Sequence, residues 1–203
     1  MKDVYTLKKT EDKGKYGEIS KGTLIEKKST FISYLFRIDD ENSANECIEK
    51  VRKDNRQARH IVYIYSYLKD NVINTRFSDD GEPKGTGTKA IYELLTKENI
   101  TNVCIVIVRY FGGILLGAGP LARAYLNTAK ESIKTCQKEI IYNYIKYNVK
   151  ITYRKYEVIK NLIDKKVKEG IIIINDIEYS DKIYIKVLII DKYYNKIKSI
   201  FED

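Results

Sequence analysis

The sequence has no tryptophan, two prolines, one histidine and three cysteines in 203 residues. Each scarcity closes a class of function. Cys47, Cys104 and Cys136 are odd in number, widely spaced and free of any CxxC pair. Neither a disulfide framework nor a thiolate zinc site fits that pattern. With His60 alone, one chain cannot build a two-histidine metal site, and any histidine–carboxylate chemistry must use that residue. Long apolar runs are missing as well. Stretches such as 103–108 and 171–174 fall far short of the roughly 20 residues that span a bilayer. Residues 1–15 are polar and lack the apolar stretch and cleavage site of a signal peptide. A cytoplasmic location without a membrane partner is therefore expected.

What the chain has is charge of both signs. Lysine and arginine number 37 against 28 acidic residues, a formal net charge of +9. That balance is unlike the single-sign excess of a disordered chain. The excess is spread: residues 1–136 hold 23 basic and 18 acidic groups, and residues 137–203 hold 14 and 10. A diffuse positive field permits weak contact with polyanions such as RNA without demanding it. The 31 isoleucines, 29 lysines and 18 tyrosines reflect coding-sequence composition. An apolar fraction of 43% is enough for a core in each half, and the length allows one or two domains.

Residues 17–38 alternate apolar and polar around Lys27, Lys28 and Ser29, which predicts two strands and a tight turn. Residues 41–54 have helical spacing, with Asn42 or Ser43 as cap. Residues 60–67 and 72–77 form a hairpin across Lys69-Asp70-Asn71. A helix starts at Thr88, and Val103–Val108, apolar without alternation, predicts a buried central strand. Residues 121–133 are helical. Beyond a linker near 136–140 the order is strand 140–151, helix 153–167, strands 171–178 and 182–190, and helix 192–201. That is a ferredoxin-like β-α-β-β-α unit.

Seven of the eleven glycines lie between residues 81 and 119, where the backbone must adopt shapes or close approaches that side chains block. Lysine outnumbers arginine 29 to 8, yet Arg59, Arg76, Arg109 and Arg123 all border these segments. A planar five-donor fork there suggests bidentate contact to carboxylate or phosphate. Arg109 and Arg123 could equally pair with Asp79, Asp80 and Glu82 to hold two loops together. Gly85-Thr86-Gly87-Thr88, leading into a helix and preceded by Lys84, offers amide donors to an anion. The pattern is neither a Walker A loop nor GxGxxG, so nucleotide hydrolysis is not implied. The three carboxylates could bind magnesium, but Asp80-Gly81-Glu82-Pro83 is the composition of a turn. His60 is either an acid–base group or a packed strand residue. No serine or cysteine has a histidine near it in sequence, so nothing supports a nucleophilic triad.

The blocks ARHIVYIY at 58–65, RFSDDGEPKGTG at 76–87 and VRYFGGILLGAGPLARAY at 108–125 closely resemble the YigZ/IMPACT family. The resemblance covers about residues 15–135, and the remainder looks like the small C-terminal domain of bacterial members. It implies an α+β protein of two domains, 1–136 and 137–203. The first resembles a ribosomal-protein-like β/α fold and elongation factor G domain IV; the second, ferredoxin-like, resembles domain V. Eukaryotic relatives regulate translation through the amino-acid-starvation kinase pathway, using a further domain that this sequence lacks. Labels linking the family to prolyl dipeptidases find no support, because the dimetal ligand set is missing. Two departures stand out. Gly87, Thr88 and Ala90 replace the family's usual alanine, glycine and proline, and Pro120 replaces a second glycine in LGAGP. Asp203 also falls about where relatives add a final strand.

The expected function is non-enzymatic: binding of RNA or the ribosome in regulation of translation, with no cofactor, metal or catalytic residue. The alternative is an enzyme acting on a small phosphorylated substrate. A protein-binding role for the tyrosine-rich C-terminal sheet is a third reading. Candidate anion-binding residues are Arg59, His60, Arg76, Asp79, Asp80, Glu82, Lys84, Gly85, Thr86, Gly87, Arg109, Tyr110, Gly112, Gly113 and Arg123.

Overall fold

A computed structural model describes residues 4–8, 14–70 and 72–202. The chain divides into two compact units, Met1–Ile141 and Tyr142–Asp203. The boundary is set by a short strand. One alternating run over 140–151 was expected, but it breaks in two. β7 (Lys138–Ile141) turns back to pair antiparallel with β1 (Val4–Leu7), with Val4 opposite Ile141. β8 (Tyr144–Ile151) belongs to the second unit.

The first unit is built on a five-stranded antiparallel sheet of order β2-β3-β6-β4-β5. Its strands are β2 (Ser20–Glu26), β3 (Ser29–Arg37), β4 (His60–Lys69), β5 (Val72–Ser78) and β6 (Val103–Tyr110). β2 and β3 join through Lys27 and Lys28, both with positive φ (44° and 63°), the backbone that matches the twist of a two-residue hairpin. Of the turn between β4 and β5, Asp70 takes φ 49°, and Asn71 lies outside the described residues. β6 is the middle strand, and Val103–Arg109 are all buried. Val103, Ile105 and Ile107 face one hydrophobic core, and Cys104, Val106 and Val108 face the other.

α1 (Glu41–Asp54) covers the second core. Its cap is Asp40, not Asn42 or Ser43: the Asp40 carboxylate accepts from the Ser43 amide while Ser43 Oγ accepts from the Asp40 amide. That reciprocal capping box satisfies two orphan donors at once. α2 (Lys89–Lys97) and α3 (Ala118–Lys134) bury the first core. Pro120 stands in the first turn of α3, where a missing N–H costs nothing.

The second unit runs β8, α4 (Tyr153–Lys168), β9 (Ile172–Tyr179), β10 (Ile183–Ile190), a 3₁₀ turn at Asp191–Tyr193 and α5 (Tyr194–Glu202). Its sheet order is β8-β10-β9, all neighbours antiparallel. Both helices pack on one face, through Ile159, Ile163, Ile197 and Phe201. The other face carries Lys146, Asn148 and Lys150 of β8 and Lys186 of β10, all exposed, with Tyr184 half-buried between them.

Candidate functional site

Strand register brings the two glycine-rich segments to one end of the first sheet. His60 pairs with Arg109 and Tyr63 with Ser78, so the loop after β5 and the loop after β6 leave side by side. A cleft of about 370 Å³ opens between them. Arg59, His60, Glu82 and Arg109 are its polar lining; Phe111, Leu115, Leu116 and Leu121 are apolar lining.

Glu82 is the hub. Its Oε1 accepts from Arg109 Nη1 at 2.6 Å and from the Tyr125 hydroxyl at 2.7 Å. The Glu82 and Arg109 side chains are only 3% and 6% exposed. The Arg109 guanidinium also lies 5.3 Å from the Phe31 ring centroid and 5.6 Å from that of Phe111, and its Nε has no hydrogen-bond partner among the described residues. Burial, then the hydrogen bond to Glu82, pushes the Tyr125 phenol far above its ordinary range. His60 Nδ1 bonds the Asp80 carbonyl at 2.8 Å; a carbonyl only accepts, so Nδ1 carries the hydrogen. Nε2 then faces Glu82 Oε2 at 3.9 Å.

The Gly85–Thr88 loop does not offer free amides to an outside anion. Asp79 already fills it. Asp79 Oδ2 accepts from the Gly85 amide at 2.6 Å, and Oδ1 accepts from the Gly87 amide, the Thr88 amide and Thr88 Oγ1 at 3.1, 2.9 and 2.9 Å. The Thr86 amide and hydroxyl both donate to the Pro83 carbonyl. A carboxylate tethered a few residues away has an effective concentration that a dissolved anion cannot match. Glycine is required at position 87 because a Cβ there would sit 2.8 Å from Val62 Cγ1 and 2.9 Å from Asp79 Oδ1.

The three neighbouring carboxylates go to three partners: Asp79 to its loop, Asp80 Oδ2 to the Ile61 amide at 2.7 Å, Glu82 to Arg109 and Tyr125. They do not converge as magnesium ligands, and no group of three or more potential metal-binding side chains occurs among the described residues.

Other candidates fall outside the cleft. Arg76 lies opposite Tyr65 in the β4–β5 register and pairs with Glu41 of α1 at 3.5 Å, so it projects from the far face of the sheet. Tyr110 follows Arg109 and points the other way, donating to Asn55 Oδ1 at 2.7 Å. Arg123 and Lys84 are exposed and do not line the cleft. Gly112 packs against the β2–β3 turn: a Cβ would fall on the Lys28 carbonyl, and its amide donates to Ser29 Oγ at 3.1 Å. Gly113 takes φ 83°. Tyr125, Phe111 and Leu115 were not among the sequence candidates. The available signal was Tyr125 on an apolar helical stripe, because a buried hydroxyl needs a partner.

Residues 27–133 match the Impact N-terminal domain, more than half of the chain. The chain belongs to the IMPACT family. An IMPACT family member of Bacillus subtilis, YvyE, is 38% identical over 57% of this chain and 53% of its own length. A Haemophilus influenzae IMPACT family member is 33% identical over 68% of each chain. The chain thus spans about half to two thirds of the length of these two relatives. A solved chain described as a hypothetical protein superposes with a TM-score of 0.59 at 26% identity, over 90% of this chain and 88% of its own. That likeness supports the mixed α and β architecture of two units. The IMPACT match ends before the second unit begins. No helix among the described residues is long and apolar enough to cross a membrane.

Proposed function

We propose that this IMPACT family protein binds single-stranded RNA, free or in the ribosome, and acts in regulation of translation without being an enzyme. The observation that carries the reading is the uncovered face of the second unit's sheet. Lys146 and Lys150 of β8 are exposed and have no ion-pair partner among the described residues. Lys150 Nζ lies 4.9 Å from the Tyr184 ring centroid on β10. Asn148 stands opposite Lys186, and Tyr144 is 38% exposed at the end of the track. Acidic Asp176, paired to Lys186 at 3.0 Å, and Glu178 stand on the neighbouring β9, and Asp181 acts on Lys150. Lysines that neutralise phosphates beside tyrosines that stack bases are the features single-strand binders combine. The resemblance to elongation factor G domains IV and V, and the translational role of eukaryotic relatives, agree with this reading and belong to it as expectations.

The four arginines gathered in one deep pocket would favour the enzyme alternative, and on an open face would favour polyanion binding. Arg59 and Arg109 line the cleft, whereas Arg76 and Arg123 do not. The test is fluorescence anisotropy with a labelled single-stranded RNA, beside ribosome co-sedimentation at graded salt. The two unpaired lysines predict a log–log salt slope of about −1.4, a loss of roughly sevenfold between ~50 and ~200 mM salt. Lys146→Glu with Lys150→Glu should abolish binding, and Tyr184→Ala should weaken it. RNA binding that is undetectable at ~50 mM salt, or indifferent to the lysine changes, overturns the proposal.

A further inference from the structure

The cleft belongs to the first unit and has a chemistry of its own. Its volume, about 370 Å³, falls in the range of small-molecule pockets, and its lining is largely apolar with a few convergent polar groups, the usual composition of such sites. Of the lining, Leu115 is 82% exposed and Phe111 38%. Exposed leucine and phenylalanine on one cleft wall present surface that a ligand's hydrocarbon body would remove from water.

The polar lining favours negative charge from three sources. Arg59 has no ion-pair partner among the described residues, and its guanidinium lies 5.8 Å from the Phe111 ring centroid. Arg109, 5% exposed, approaches the same ring from its own side. The amino terminus of α3 also opens onto the cleft at Gly117 and Ala118. No side chain caps that helix, Gly117 takes φ 84°, and the Ala118 and Gly119 amides have no partner among the described residues. A 17-residue helix presents partial positive charge there.

The lining charges also set the size of the complementary anion. Apart from His60, Arg59 and Arg109 contribute two positive charges and Glu82 one negative, so these fixed charges of the lining sum to one positive. The Asp80 carboxylate, close by in sequence, is held on the Ile61 amide and is not part of the lining. A dianion would face Glu82 without enough countercharge.

We infer that this cleft binds a small monocarboxylic acid with an aromatic or branched aliphatic body. The carboxylate lies between Arg59 and the first turn of α3, and the body covers Phe111, Leu115 and Leu116. Glu82 and Tyr125 act as positioning residues that hold Arg109 in the wall.

The test uses the full chain, ¹⁵N-labelled, titrated with phenylacetate and 4-methylpentanoate. Phenylacetamide and phenyl phosphate are the neutral and dianionic controls. The expected result is saturable shifts confined to Arg59, His60 and residues 111–118, with a Kd on the order of 1 mM or tighter, within reach of about ten heavy atoms. Phenylacetamide and phenyl phosphate should each bind at least about tenfold more weakly. Arg59→Gln should weaken the carboxylate at least about tenfold, and Leu115→Ser severalfold. Both side chains are exposed, so the fold is retained, which the rest of the spectrum checks directly. Equal binding of acid and amide, tighter binding of the phosphate, or no saturable shift up to ~10 mM overturns the assignment.

Discussion

Replacing either member of the Glu82–Arg109 pair should destabilise the first unit, and replacing both should cost little more than replacing one. Both side chains are almost wholly excluded from solvent and meet at 2.6 Å. Two unit charges about 4 Å apart attract by about 4 kcal/mol at an effective dielectric near 20. Glu82→Gln removes the countercharge while Tyr125 can still donate to the amide oxygen. Arg109→Met leaves the carboxylate with the Tyr125 hydroxyl as its side-chain hydrogen-bond donor and with His60 Nε2 3.9 Å away. Each leaves a buried charge unpaired and should cost about 3–5 kcal/mol. In the double variant no charge is stranded, so the double-mutant cycle should return a coupling of about 3–4 kcal/mol. Urea unfolding supplies the measurement, with the transitions of the two units fitted separately. At about 1–3 kcal/mol per molar urea, each single variant should lower the first unit's midpoint by at least ~1 M. A coupling below about 1 kcal/mol, the scale of a solvated surface pair, would refute the idea that this pair is desolvated and mutually dependent.

Val106→Asp places an unpaired charge in the central strand and should cost on the order of 3–5 kcal/mol by the same urea assay; an unchanged midpoint would show the strand is not central. Asp79→Asn removes the charge that gathers three amides and a hydroxyl, and should lower thermal stability by about 2–4 kcal/mol, seen as a depressed melting temperature of the first unit. Gly112→Ala should destabilise by at least 1–3 kcal/mol, because its Cβ collides with backbone at Lys28. Alkaline pH gives a signed test. Tyr125 titrates far above its unfolded value because of burial and Glu82, and burial raises Tyr34 to about 12. The folded state therefore keeps protons that the unfolded chain loses above its ordinary phenol pKa near 10. Their contribution is complete below that pH and declines above it, by up to ~1.4 kcal/mol per pH unit for each tyrosine. Tyr125→Phe should flatten that decline, and an equal slope in both proteins would contradict it.

Several of these features were legible before any coordinates. Val103–Val108 stood out because a strand covered on both faces needs no polar alternation, and both cores close on it. The Lys27–Lys28 hairpin followed from alternation on either side. What escaped depended on partners distant in sequence. The break after Ile141 is invisible locally, since Lys138–Ile141 is drawn away by Val4–Leu7, more than 130 residues earlier. Arg76 and Arg109 both border glycine-rich loops, yet strand parity sends them to opposite faces, and one residue of register decides which. The Gly85–Thr88 amides, read from the sequence as free donors for a bound anion, are taken by a carboxylate of the chain itself. That the anion is Asp79 depends on the left-handed backbone at Asp80 and Gly81, φ 46° and 82°, which turns the chain back on itself.

The pairing of Val4 with Ile141 places the first described residue of the first unit beside its last. Tension applied between those residues would load the two-stranded ribbon at its open mouth, one hydrogen-bonded pair after another. It would not pull all four pairs in shear. The ribbon is fastened to the body through Tyr5, which bonds Asn99 and Thr101 at the turn before β6. Unzipping therefore ends at that clasp, and the five-stranded sheet beyond it is strained only once the clasp gives way. That adjacency also makes the unit a natural subject for circular permutation. Joining residue 4 to residue 141 and reopening the chain at the Lys27–Lys28 turn would keep every layer of both cores while changing which segment carries the load.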